Sequence, residues 1–155
     1  MFLFFKKRHS YTVDRTPEQV QSKLKWIITR RWDDFSVDII GRMTQDGRFN
    51  LTGKWNITPF KWIENSPGYI DGHIIPLNER TSIHITTKPN RFLVFLFYLV
   101  AASLVIEVSG LETFIAIERK VKVTLLLVLA TLLLTAIVIL KNNIRRSFEV
   151  LMQLN

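Results

Sequence analysis

Hydrophobic positions along this chain change their period once, from helical to alternating, before the periodicity disappears altogether. Val20, Leu24, Ile27 and Ile28 recur at i, i+4, i+7 and i+8, one apolar face of a helix. Thr16-Pro17-Glu18-Gln19 supplies its start. Thr16 is the N-cap, Pro17 occupies a first-turn position where its missing N–H costs nothing, and Gln19 completes a capping box. The helix is expected to end near Arg30 or Arg31. The period then falls to two. Phe35, Val37, Ile39, Gly41 and Met43 lie in phase, and so do Phe49, Leu51, Gly53, Trp55 and Ile57. A two-residue Asp-Gly turn between these strands would set Leu51 opposite Arg42 and Trp55 opposite Asp38. A three-residue loop, Gln45-Asp46-Gly47 with a left-handed Gly47, sets Met43 against Phe49, Gly41 against Leu51, Ile39 against Gly53 and Val37 against Trp55. Only the second register buries one consistent face, so it is the one expected.

A second hairpin follows the turn Ser66-Pro67-Gly68. The segment "YIDGHII" pairs with "TSIHITT" through Leu77 to Arg80, which puts Ile74 against Ile83, Gly72 against Ile85 and His73 against His84. The last strand ends at Lys88-Pro89 and runs almost directly into oil. Residues 92–106 and 123–140 carry no charge. A helix needs roughly 20 residues to cross the hydrocarbon of a bilayer, with about 17 as a minimum. The second run meets this with its flanks, and the first does so by borrowing residues beyond Glu107. Two core helices of a soluble domain would be the alternative, but a domain of this size could not cover both runs on all sides.

The expected architecture is therefore α+β. A small, mainly antiparallel β-meander domain with one helix fills residues 1–90, and a two-helix transmembrane hairpin fills 91–141, with spans near 91–111 and 121–141. A short amphipathic helix over 142–155 carries Ile144, Phe148 and Leu151 on one face, to lie in the membrane interface or dock on the domain. About three residues would separate the last strand from the first span, too few for a flexible tether.

Charge orients the hairpin. The chain has 21 Lys/Arg against 13 Asp/Glu, and residues 1–91 alone hold 15 against 9. Lys88, Arg91, Lys141, Arg145 and Arg146 flank the outer ends of the spans, whereas Arg119, Lys120 and Lys122 lie in the connection. By the positive-inside rule both termini are cytoplasmic. The basic domain and Trp26, Trp32, Trp55 and Trp62 suit residence beside an anionic leaflet, although core tryptophans and solvated lysines would give the same composition. The apolar patch Phe2-Leu3-Phe4-Phe5 precedes the basic residues, the reverse of a secretory signal, so no cleaved signal is expected. There is no cysteine, hence no disulfide and no Cys-based metal or redox site.

Candidate chemistry is sparse. No phosphate-binding loop, metalloprotease helix or nucleophile elbow occurs. His73 and His84 could form part of a metal site or a pH-sensitive pair, with Asp71 and Thr86 one same-face pair along. Two imidazoles are too few ligands, and the plainer account is an exposed pair without a role. Glu107 lies at or within the membrane, on one side of its helix with Ser103 and Gly110, while Thr124, Thr131 and Thr135 share a side of the second helix. Intramembrane acids usually face protein or water. Glu107 either marks a functional position there or sits among the headgroups where the span ends, and the polar stripes would pack the two helices or several copies.

The order of helix, meander and spans, with Gly72 in one strand and Thr81, Ile83 and Ile85 in the next, resembles small bacterial two-transmembrane-helix membrane proteins of unknown function with an N-terminal α+β domain. The resemblance implies a bacterial inner-membrane location and carries over no catalytic residue. The expectation is a membrane-anchored, non-enzymatic module, without a cofactor, that binds a protein or small-molecule partner beside the cytoplasmic leaflet. The alternative is a ligand-gated membrane effector that forms a homo-oligomer through its spans. A lipid-headgroup enzyme would need an acid–base pair that the sequence does not offer, and nucleic acid is not an expected partner.

Overall fold

The computed structural model describes residues 5–29, 39–44, 46–53, 66–77, 80–109 and 118–154. Their elements are β1 (Lys7–Val13), α1 (Pro17–Thr29), β2 (Ile39–Met43), β3 (Arg48–Gly53), β4 (Gly68–Leu77), β5 (Arg80–Pro89), α2 (Arg91–Ser109) and α3 (Arg119–Met152). The five strands form one antiparallel sheet in the order β1-β5-β4-β3-β2. The architecture is α+β: a meander sheet with one helix, then two long apolar helices.

Local chemistry sets the elements as expected. The Gln19 N–H donates to Thr16 Oγ1 and the Thr16 N–H to Gln19 Oε1, the reciprocal capping box. Gly47 takes φ 79°, and the first hairpin pairs Met43 with Phe49, Gly41 with Leu51 and Ile39 with Gly53. The second pairs Gly72 with Ile85, His73 with His84 and Ile74 with Ile83. The expected pair Val37–Trp55, together with Trp32 and Trp62, lies outside the described residues. Trp26 stands half exposed on α1.

Strand β1 is an addition to the expected meander. It pairs antiparallel with β5 from Lys7–Thr87 to Val13–Thr81. Its inward side chains His9, Tyr11 and Val13 are only partly covered, as befits an edge strand. At its two ends Thr87 Oγ1 donates to the Lys7 carbonyl and Thr81 Oγ1 to the Arg15 carbonyl.

One face of the sheet is buried. Ile39, Phe49, Leu51, Ile70, Ile74, Ile83 and Ile85 project from it. Val20, Leu24 and Ile27 of α1 cover part of this face, and Ile144, Phe148 and Met152 of α3 join them. The expected separate helix over 142–155 is thus the end of α3, which runs unbroken for 34 residues, about 51 Å. No proline or glycine interrupts it, and the Asn142-Asn143 pair costs a helix only a few tenths of a kcal/mol per residue. Burial of Ile144, Phe148 and Met152, about 1.5–3 kcal/mol each, outweighs that cost. Phe148 stacks on Phe49 with ring centroids 5.8 Å apart. Phe49 in turn lies over Gly72, where an added Cβ would come within 2.2 Å of its ring. Past the helix end, Gln153 turns left-handed at φ 57°, Leu154 folds back into the core, and Arg15 holds the turn through the Met152 carbonyl and Gln153 Oε1.

Helices α2 and α3 are each long and apolar enough to cross a membrane. They pack antiparallel, with Val94, Val100, Leu133 and Ile137 buried. Most of their surface is open. Only 17% of the apolar window in α2 and 6% of that in α3 is covered by the rest of the protein. The connection into α2 is shorter than expected, with Asn90 alone between β5 and the helix. Asn90 is buried, accepts the Leu93 N–H at its Oδ1 as N-cap, and donates from Nδ2 to the Ser66 carbonyl at 2.6 Å.

Phe148→Ala should therefore destabilise the sheet domain by about 3–5 kcal/mol, whereas Val150→Ala, at an exposed position of the same turn, should stay within about 0.5 kcal/mol. Chemical denaturation of the full chain in mild detergent checks both.

Candidate functional site

The uncovered face of the sheet is polar, and its character changes along the strands. Toward the β4–β5 turn, His73 stacks on His84 with centroids 5.2 Å apart and planes 14° from parallel. Ser82 Oγ lies 3.1 Å from His84 Nε2. Arg48 is the cross-strand neighbour of His73. Among the described residues no group of three His, Cys, Asp or Glu could hold a metal ion. The two imidazoles expected to meet do meet, on a surface that brings them a cation and a hydroxyl.

Toward the opposite end, where the strands run into α2, the same face forms a groove of about 400 Å³. Among the described residues, Lys6, Lys88 and Arg91 bring three cations to it, Asp71 one carboxylate, and Asn50 and Tyr69 neutral polar groups. Sheet register explains the convergence. Asn50 pairs with Asp71 and Asp71 with Thr86, while Tyr69 pairs with Lys88, so alternate residues of β3, β4 and β5 project side by side. Asn50 Nδ2 donates to Asp71, and Lys88 forms an ion pair with the same carboxylate. Arg91 arrives from the first residue of α2. Beside the groove, Phe5 packs edge-on against Phe97 and Tyr98, with centroids at 6.0 and 6.4 Å. Of these lining residues the sequence singled out Lys88 and Arg91 as interface cations and Asp71 as a same-face neighbour of the His73–His84 pair. Asn50 and Tyr69 come together only through register, and Lys6 arrives on the short approach to β1, the strand absent from the expected meander.

A second polar cluster ties α3 to β1. Tyr11 Oη donates to Glu149, and Arg145 lies 3.5 Å from the same carboxylate. Lys141 Nζ donates to the Phe5 carbonyl at 3.3 Å. Of the expected interface cations, Lys141 thus reaches the approach to β1, Arg145 pairs with Glu149 on its own helix, and Arg146 is exposed. His9 stacks on Tyr11, and its buried Nε2 has no hydrogen-bond partner. Burial, followed by the nearby Arg145 and Lys7 cations, holds the His9 imidazole below its ordinary range. Burial and the bond to Glu149 push the Tyr11 hydroxyl well above its own.

At the far end of the hairpin Glu107 is buried against α3, and its carboxylate lies 3.5 Å from Lys122 Nζ. Arg119 donates from Nε and Nη2 to the carbonyls of Glu107 and Val108, closing the end of α2. Thr124, Thr131 and Thr135 do share one side, but that side is exposed and turned from α2. Each hydroxyl bonds the carbonyl four residues earlier, as does Ser103. The two polar stripes therefore do not face one another within the hairpin, because Leu133 and Ile137 occupy the contact side. Gly110 lies outside the described residues.

No family model, curated protein or solved structure matches this chain. The functional argument rests on its own geometry.

The His9 environment has a pH consequence. Its folded-state value is depressed, so the unfolded chain binds the proton more readily. The contribution to stability is complete above about pH 6.5 and is lost as pH falls from there through the depressed value. Thermal melting of the full chain should fall between pH 7.5 and 5, with a shallower fall in His9→Gln.

Proposed function

We propose that the chain is a membrane-anchored, non-enzymatic binding module. Helices α2 and α3 cross the membrane, and the sheet domain lies against the cytoplasmic leaflet of a bacterial inner membrane. The observation that carries this reading is the division of labour along α3. Residues 123–140 are uncharged and largely bare, while Ile144, Phe148 and Met152 of the same helix are buried in the domain core. A soluble protein would leave Leu125, Leu127, Val128, Leu132 and Ile139 in water. Bare apolar surface on that scale calls for lipid.

The charged residues fit the dimensions of a bilayer. Lys122 and Lys141 bracket the uncharged run, about 28 Å apart along the helix, close to the hydrocarbon thickness of roughly 30 Å. On α2, Arg91 and Glu107 lie about 24 Å apart along the helix. Glu107 then sits near the distant interface, paired with Lys122, which favours an electrostatic latch over an isolated acid in the bilayer interior. Five Lys/Arg flank the domain end of the hairpin against three at the connection, which supports cytoplasmic termini.

Rigid joints also support a second reading, a ligand-gated effector. Asn90 alone links β5 to α2, and α3 enters the core without a break. A shift of the sheet on binding a ligand would move both helices. Membrane depolarisation on expression, lost in Glu107→Leu, would distinguish this effector from a passive anchor.

The absence of cysteine makes the topology testable with single introduced thiols. In the membrane fraction, Lys120→Cys should react with an impermeant maleimide added outside intact cells, and Thr12→Cys only after permeabilisation. Recovery of the protein in the soluble fraction, or the reverse labelling, would sink the proposal.

A further inference from the structure

We infer that the groove formed by Lys6, Lys88 and Arg91 binds the phosphate of an anionic phospholipid with a hydroxylated headgroup. The inference rests on the membrane placement proposed above. Among the described residues that line it, three cations stand beside one carboxylate, at the root of a helix that is otherwise oil. Asp71 is already neutralised by Lys88 and held by Asn50. A headgroup ammonium would therefore find cations rather than an open counter-charge. A headgroup bearing hydroxyls would find acceptors and donors in Asp71, Asn50 and Tyr69, while Lys6 and Arg91 reach its phosphate.

A lipid is favoured over a free phosphate by what adjoins the groove. Arg91, Phe95, Leu99, Ala102 and Ile106 follow one another at i, i+4, i+8, i+11 and i+15, so they share one side of α2. Phe95 is 58% exposed, Leu99 51% and Ile106 42%. This apolar strip starts at a groove residue and runs for about 17 Å from Phe95 to Ile106. An acyl chain laid along it would leave the phosphate at Arg91. A soluble anion would use the cations and leave the strip idle.

The test is native mass spectrometry of the full chain released from mild detergent, with phosphatidylglycerol, phosphatidylethanolamine or glycerol phosphate added in turn. The expected result is one retained phosphatidylglycerol per chain, preferred over phosphatidylethanolamine. Loss of two interfacial cations in Lys6→Gln/Arg91→Gln should weaken retention about 30-fold. Lys120→Gln/Arg146→Gln, which changes two cations outside the groove, should retain lipid as the unaltered chain does. Thermal melting of each variant confirms that it is folded. Equal retention of the two lipids, or unchanged retention in the groove variant, would overturn the inference. So would glycerol phosphate that competes fully with the lipid, which would assign the groove to a soluble anion. A chain that partitions to the membrane yet shows no lipid preference refutes the groove alone; a chain in the soluble fraction refutes the placement beneath it.

Discussion

Phe148 lies flat on Phe49, and Phe49 lies on the bare backbone of Gly72. The rest of the structure depends on this stack. A five-stranded sheet has an apolar face that must be covered, and α1, with three buried side chains, covers only part of it. The remainder falls to the last turns of α3. Because α3 is continuous, the same helix that completes the core also carries the uncharged run of residues 123–140. Domain and hairpin consequently share a structural member. The joint at β5 reinforces this sharing, since Asn90 simultaneously caps α2 and ties down the Ser66 carbonyl from a buried position.

Electrostatics differ at the two ends of the hairpin. At the far end, three of the described charged residues bond within the hairpin. Glu107 meets Lys122, and Arg119 closes the carbonyl end of α2, where a cation also complements the helix dipole. At the domain end, Lys141 bonds Phe5 just ahead of β1 and Arg145 pairs within α3, while Lys6, Lys88 and Arg91 converge on the groove.

Much of the sheet was legible because alternation leaves little choice. Shifting the first hairpin by one residue would have buried Arg42, so the position of Gly47 followed. Strand β1 escaped because His9, Tyr11 and Val13 alternate weakly at a half-covered edge, beside a basic run that reads as solvated. The length of α3 escaped for a different reason. Lys141-Asn142-Asn143 resembles a boundary, yet only a glycine or proline would have imposed one, and core packing carries the helix through. Glu107 was legible as a position but its partner was not, since pairing across a hairpin depends on a rotation the sequence does not print. The groove was least legible. Its residues come from four elements and from the short approach to β1, and none forms a spaced motif.

The central claim is that α3 is one rigid rod, from its exposed apolar half into the domain core. Leu132 and Val150 are both exposed and lie 18 residues apart, five full turns, on the same side of the helix. Spin labels at these two positions, in the otherwise cysteine-free chain reconstituted in lipid, report the rod directly by double electron–electron resonance. An unbroken helix gives a single narrow distribution centred near 27 Å between the backbone positions. A broad or markedly shorter distribution would mean that the helix breaks between its apolar run and the domain, and the account of a shared structural member would fail.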